Sequence, residues 1–395
     1  MKKYILIACF AFGFKADAQL PKVFIMNADR LAEVKMKVQQ RDKGIIPLSD
    51  SLKKQADALL NMKPVSVMDK AFTPISGNKH DYMSQAPYFW YDSTKPNGLP
   101  YMRKDGQRNP EIYKITDRTY LGKLDDACRM LSLAWYLTSE EKYANKAAAL
   151  LRTWFIDEAT KMNPHLEYGQ AIPGVNTGRG IGIIETVALI SIADAAGLLT
   201  GSKSWRETDQ QALQQWYGQY LNWLLTSKNG TDEHKAKNNH GTWYYAQVID
   251  FALFTGDKNK ALQLAKESRA RLDSQLTKEG QQPLELERTN SLGYSTMNLR
   301  GWFTVATLAE KTGVDVWSYK TSKEVTLRTA FDWLMPYATG EKTWTWDQIS
   351  RYNENEIYPL LLWAAEKYKE PRYRTKANEI NKEGNNTITD LLYKK

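Results

Sequence analysis

Apolar side chains recur at helical spacing in segment after segment of this 395-residue chain. That recurrence confines the fold more than any other feature. Leu121, Leu124, Cys128, Leu131 and Trp135 follow an i, i+3, i+4 rule and predict one amphipathic helix. Thr138 and Glu141 have the spacing of a capping box. They predict a second helix carrying Tyr143, Ala147, Leu150, Leu151 and Trp154. The unit recurs as an apolar helix over Tyr244 to Phe254, the turn Thr255-Gly256-Asp257, and a helix through Ala261, Leu264 and Leu272. Looser copies lie at Trp302–Leu308 with Thr312-Gly313, and at Leu360–Tyr368 with Pro371. Helix, short turn and helix without convincing strands predict an all-α architecture of stacked α-hairpins. Two stretches break the pattern: residues 72–116, rich in Pro, Gly, Asn and aromatics, and residues 162–182. Long ordered loops on a rigid scaffold are where binding residues tend to sit. Residues 19–65 read as one or two helices, and no composition shift divides residues 19–395 into separate domains.

Lys2 and Lys3, the apolar run Tyr4 to Phe14 and the small-x-small Ala16-Asp17-Ala18 have the layout of a signal peptide over residues 1–18. The run is too short to span a bilayer. A lipobox ending at Cys9 is the competing reading, ranked second because only five apolar residues precede the cut. Export to a periplasm is the expectation, with no membrane span. Removing the leader takes the formal charge from +9 to +7. A basic exported protein suggests an anionic partner, and no nucleic-acid motif or long Lys/Arg block is present. An acidic polysaccharide is therefore preferred over nucleic acid or anionic lipid. The 13 Trp and 22 Tyr supply flat rings suited to sugar faces. Two cysteines, Cys9 and Cys128, rule out a Cys-built metal centre. The four histidines show neither HxH nor HExxH spacing, so no metal and no cofactor is expected.

Two segments carry candidate chemistry. Asn238-Asn239-His240 places carboxamides beside a group that titrates near neutral pH, and it also suits a helix cap. Pro283-Leu-Glu-Leu-Glu-Arg288 runs on to Tyr294, placing a carboxylate-matching fork near a proton donor. A loop in which Arg288 pairs with Glu285 or Glu287 is the bland alternative. Gly178-Arg179-Gly180-Ile-Gly182 lacks the spacing and the preceding strand of a dinucleotide loop. Arg179 reads instead as a cation for an anionic ligand, with a structural salt bridge as the alternative. Trp90 and Tyr88 are candidate stacking platforms.

Taken together, AsnAsnHis, the ELxR stretch and Tyr294, 54 positions after His240, resemble the alginate-lyase superfamily, polysaccharide lyase families 5 and 38. The resemblance extends to Asn163-Pro164 through Ala171-Ile-Pro-Gly and Gly178-Arg179-Gly180. It also takes in the YFWYD…NGLPYMRKDG…NPE loop at 88–111, which is closest to family 38. It implies an (α/α) toroid, an incomplete α/α barrel with long active-site loops, and no essential metal. The implied catalytic set is Tyr294, His240, Asn239 and Arg288, with Arg179, Asn176, Trp90 and Tyr88 binding substrate. The implied reaction is β-elimination on a 4-linked uronate polymer, most simply alginate, leaving 4,5-unsaturated ends. Asn239 and Arg288, with His240, would stabilise charge developing on the C6 carboxylate, and Tyr294 would protonate the departing O4. In mannuronate H5 and O4 lie on one side of the ring, so Tyr294 can serve as base and acid. In guluronate they lie on opposite sides, and His240 becomes the base.

Glucuronan, which shares the C4 and C5 configuration of mannuronate, is the alternative substrate. A glycoside hydrolase would need two carboxylates about 5–10 Å apart across the scissile bond. Asp125 and Asp126, adjacent on one helix, point in different directions. A non-catalytic glycan-binding protein would need rings and cations but not the Asn-His…Arg…Tyr set.

Overall fold

A computed structural model describes residues 20–380 and 386–393; the leader read at 1–18, with Cys9, lies outside the described residues. Helices α1 (Ala28–Gln39) and α2 (Ile46–Leu59) lead into the first irregular segment. Short strands β1 (Met83–Gln85), β2 (Phe89–Trp90) and β3 (Met102–Arg103) lie within it. Helices α3 (Asp117–Thr138) and α4 (Glu141–Phe155) form the first hairpin. Strand β4 (Tyr168–Ala171) and the 3-10 stretch Gly180–Val187 then lead into α5 (Ala188–Leu198). Next come α6 (Glu207–Thr226), α7 (Lys228–Lys235), α8 (Asn239–Phe254) and α9 (Lys258–Gln275). Short α10 (Pro283–Leu286) precedes α11 (Ser291–Glu310) and α12 (Leu327–Ala338). The described chain closes with α13 (Tyr358–Tyr368), α14 (Pro371–Ile380) and α15 (Thr387–Tyr393).

Burial sorts these helices into two rings. Helices α3, α5, α8 and α11 pack one against the next. The inner circuit continues from Phe303 on α11 to Trp363 on α13, 5.9 Å apart, and returns to α3 through α15 and α1. Outside it, α2 and α4 cover α3, α6 and α9 flank α8, α12 covers α11, and α14 covers α13. The result is an all-α toroid. The inner members explain themselves: α8 and α11 are apolar on nearly every face, as helices covered on all sides must be. The Gly180–Leu198 stretch is long and apolar enough to cross a bilayer, yet 67% of it is buried within the toroid, as befits a core helix.

Two local expectations are corrected. Thr138 does not cap α4. Its hydroxyl donates back to the Ala134 carbonyl at 2.7 Å, and Ser139 turns the chain at φ 60°. That left-handed turn leaves the Thr138 hydroxyl accepting from the Glu140 amide at 3.2 Å, short of the first turn of α4, and Glu141 accepts from the Ser204 amide at 2.8 Å. Strands also exist, though short. β1 pairs in parallel with β4, Met83 opposite Tyr168, and β2 pairs antiparallel with β3, Phe89 opposite Arg103. The two irregular segments are thereby tied to each other. The glycines of the Gly178–Gly182 run serve that packing. A Cβ at Gly178 would sit 1.9 Å from the Glu167 carbonyl oxygen, and one at Gly182 would sit 2.6 Å from that of Gly169.

Candidate active site

The N-termini of α8 and α11 meet at one end of the toroid, where a cavity of about 1690 Å³ opens between the loops and runs inward. Asn238 caps α8, its Oδ1 accepting from the His240 amide at 3.3 Å. Asn239, fully buried, gives its backbone N–H and its Nδ2 to the two oxygens of Glu285, at 2.6 and 2.7 Å. The start of α8 is thus pinned to α10, just ahead of α11. Burial pushes the Glu285 carboxyl up and the two Asn239 donors pull it back, with a net rise. Nδ2 keeps a second hydrogen beyond the one given to Glu285.

His240 is oriented from the other side. Its Nδ1 lies 2.8 Å from Glu233 Oε1, and the Glu233 side chain is only 1% exposed. A carboxylate can only accept here, so Nδ1 carries the hydrogen and Nε2 of the neutral ring keeps a lone pair. Gly241 lets the chain pass close beneath: a Cβ there would meet the Ala236 carbonyl oxygen at 2.1 Å.

Tyr294 lies in the first turn of α11. Its hydroxyl is 2.7 Å from that of Tyr88, and the Arg288 guanidinium lies over its ring, 3.7 Å from the centroid. Burial pushes the Tyr294 phenol well above its ordinary range; Tyr88 adds to the rise and the Arg288 charge opposes it. The phenol is therefore held protonated, ready to donate. Arg288 is gripped by Asp105, Nε at 3.1 Å and Nη2 at 2.8 Å. Burial works against the Arg288 charge, and the Asp105 bond outweighs it. Burial likewise works against the Asp105 charge, but Arg288 and Arg103 hold the carboxyl well below the usual carboxylate range.

Arg179 completes the cationic wall. Gln170 holds it, accepting from Nε at its carbonyl (3.2 Å) and from Nη2 at its side chain (2.9 Å). Phe89 lies under the guanidinium at 5.2 Å. Gln170 adopts φ 51°, a left-handed conformation costing a side-chain-bearing residue about 1–2 kcal/mol. Strain at a ligand clamp is a recurrent device. With the positive ends of α8 and α11 aimed at the same space, the site suits an anion.

Tyr88, Arg179, Asn239, His240, Arg288 and Tyr294 all line this cavity. Trp90 and Asn176 are not among its lining residues. The Trp90 indole donates to the Gln107 carbonyl at 2.9 Å beneath Lys104. Asn176 Oδ1 accepts from the Ile172 amide at 3.1 Å, closing a local turn. Residue type marked both, but only backbone geometry decides which way a loop side chain faces. The expected Arg288 pair with Glu285 or Glu287 is replaced by Asp105. Glu233, Asp105 and Gln170 escaped the sequence reading: each acts by holding another residue and carries no motif of its own. Asp105 and Gln170 stand inside stretches that carry the resemblance, without a role of their own. Asp125, weighed for a hydrolase, accepts from Ser191 and pairs with Arg129. Among the described residues no cluster of three His, Cys, Asp or Glu side chains converges as a metal cage requires.

A family model described as alginate lyase matches residues 66–344. A crystal structure of an alginate lyase from Bacteroides ovatus is 37% identical to the chain. It superposes with a TM-score of 0.90 over 95% of this chain and 99% of that one. Alginate lyase A1-III from Sphingomonas species A1 is 13% identical, with a TM-score of 0.56 over 87% and 94% of the two chains. A variant of A1-III complexed with a tetrasaccharide is 15% identical, with a TM-score of 0.61 over 96% and 98%. At that identity the A1-III likenesses establish the fold. No curated protein matches the chain.

Proposed function

The chain belongs to the alginate lyase family, the polysaccharide lyases that act on alginate, and on that footing we propose that it cleaves 4-linked uronate chains by β-elimination at the Tyr294–His240 site. The single observation that carries this reading is one cavity lined by both the desolvated Tyr294 phenol, 2.7 Å from Tyr88, and the His240 imidazole, held at Nδ1 by Glu233. Tyr294 supplies the acid and His240 a base. The substrate carboxylate meets the second Nδ2 hydrogen of Asn239, the edge of Arg288 not engaged by Asp105, and Arg179. Donors fixed before reaction stabilise the charge that develops on that carboxylate as H5 leaves. Electrons from the C5–H bond form the C4=C5 double bond, the C4–O4 bond breaks, and Tyr294 gives its proton to O4.

For mannuronate, where H5 and O4 share a ring face, Tyr294 first passes its own proton out through the Tyr88 hydroxyl 2.7 Å away, then takes H5 as phenolate and returns that proton to O4. Arg288 over its ring lowers the cost of that phenolate. For guluronate, with H5 on the opposite face, His240 Nε2 takes it. Signal-directed export fits a polymer too large to enter a cell intact.

Replacement of His240 by Gln separates the two geometries. Mannuronate cleavage should fall but remain measurable. Guluronate cleavage should fall by a further factor of roughly 10 or more, since loss of a general base typically costs 10²-fold or more. Equal losses on the two polymers would show that His240 does one job for both and would end this division of labour.

A further inference from the structure

The cavity does not stop at Tyr294. It continues inward between α8 and α11, past Trp243, one turn beyond His240. Gly293, Met297, Arg300 and Thr304 line it as one stripe of α11, at the i, i+4, i+7, i+11 spacing of a single helix face. Arg300 lies six residues beyond Tyr294, so it sits roughly 9 Å farther along the axis. Arg129 and Asp125 of α3 line the same inner region, as does Glu356.

These inner charges differ in one respect. Arg129 is committed, to Asp125 at 3.3 Å and Asp126 at 2.9 Å. Among the described residues the Arg300 guanidinium makes no hydrogen bond and no ion pair. The Trp243 ring lies 5.9 Å from it. Glu356 acts on it only at longer range, and Arg129 opposes its charge. The side chain lies deep in the toroid, where burial pushes its pKa down, yet it stays exposed because it faces the cavity. A guanidinium that faces the cavity without a protein partner can turn its five donors to a ligand. Its planar fork matches a carboxylate.

We propose that Arg300 anchors a second anion-binding site on the floor of the cavity, and that its occupant is the carboxylate of a uronate unit in the same saccharide that is cleaved at the mouth. The inference rests on reading the mouth as a polyuronate site. A saccharide held at both levels enters the toroid end-on, so Arg300 favours substrates whose end reaches the floor.

The test uses the full chain carrying Tyr294→Phe, to suppress turnover, with and without Arg300→Gln or Arg300→Lys. A mannuronate tetrasaccharide is the probe, and its Kd is measured by calorimetry at low and moderate salt. Arg300→Gln should raise Kd about 10-fold or more, as expected for loss of a charge-assisted hydrogen bond, and should flatten the salt dependence. Arg300→Lys should recover part of both. Unchanged Kd in an Arg300→Gln protein that melts like its parent would overturn the site. If the Arg300-containing parent binds no tetrasaccharide, the reading of the mouth falls, and sodium sulfate becomes the probe. Sulfate stabilisation that Arg300→Gln loses would then identify an inorganic-anion site and overturn the uronate occupant. No difference between the two proteins would overturn the anion site itself.

Discussion

The mouth and the floor of one cavity are built on opposite principles. At the mouth the residues read as the reacting set are each held by another side chain: Arg288 by Asp105, His240 by Glu233, Asn239 by Glu285, Arg179 by Gln170. On the inner helices, groups are left unclaimed: Arg300 faces open space, and both oxygens of buried Asp250 lack partners. Claimed groups cannot move, and fixed donors around a reacting centre need no rearrangement as charge develops. An unclaimed cation gains most from a ligand that brings its own charge. The mouth is organised for chemistry and the floor for holding.

The contrast is most open to damage at Tyr294. Tyr294→Phe keeps the ring beneath Arg288 and removes one hydroxyl. If that hydroxyl carries proton transfer, kcat should fall by about 10²–10⁴ while oligosaccharide Kd stays within a few-fold. A variant keeping more than half its kcat would remove Tyr294 from the chemistry.

A smaller effect is expected at Asp105, whose task is to hold Arg288. Asp105→Asn should lower kcat/KM and cost on the order of 2 kcal/mol of stability, the scale of hydrogen bonds to a charged group. The Asp105 carboxyl is held below its ordinary pKa in the folded protein, so its contribution is present above the unfolded value near 4 and is lost only as pH falls through the lower, folded value. The stability gap between parent and variant should therefore be constant from about pH 5 to 8 and close only in stronger acid. A gap that widens on acidification would contradict the pairing.

The smallest functional effect belongs to Asp250. Burial, then the charge of Asp194, pushes its carboxyl well up and favours the neutral form. A raised folded value means that the folded state loses stability as pH climbs above about 4. Asp250→Asn, which never ionises, should leave turnover unchanged and gain on the parent in melting temperature as pH rises above about 4. A large loss of kcat would assign the inner wall a chemical part and dissolve the contrast.

The two regions also differ in how well the sequence announces them. His240, Asn239, Arg288 and Tyr294 are legible because each occupies a short motif at a helix start, and helix periodicity places those starts. Their holders are not: Asp105 and Arg288 are separated by 183 positions, and nothing local marks Asp105 as an arginine's partner. Gln170 is invisible for a different reason, since its grip on Arg179 depends on a left-handed backbone that no residue type demands. Trp90 and Asn176 stand outside that cavity lining, because residue type indicates what a side chain can bind but not the direction it faces. Arg300 reads in sequence as one more residue on an apolar helix, and only the closing of the toroid gives it a cavity to face.

Elimination is tested most directly by counting two kinds of chain end in one digest of poly-mannuronate. The C4=C5 bond absorbs in the ultraviolet, and every cleavage also creates a reducing end. Unsaturated and reducing ends should appear one for one, with both rates falling together in Tyr294→Phe. Reducing ends accumulating without the ultraviolet band would mean hydrolysis, and the Tyr294–His240 elimination would be wrong.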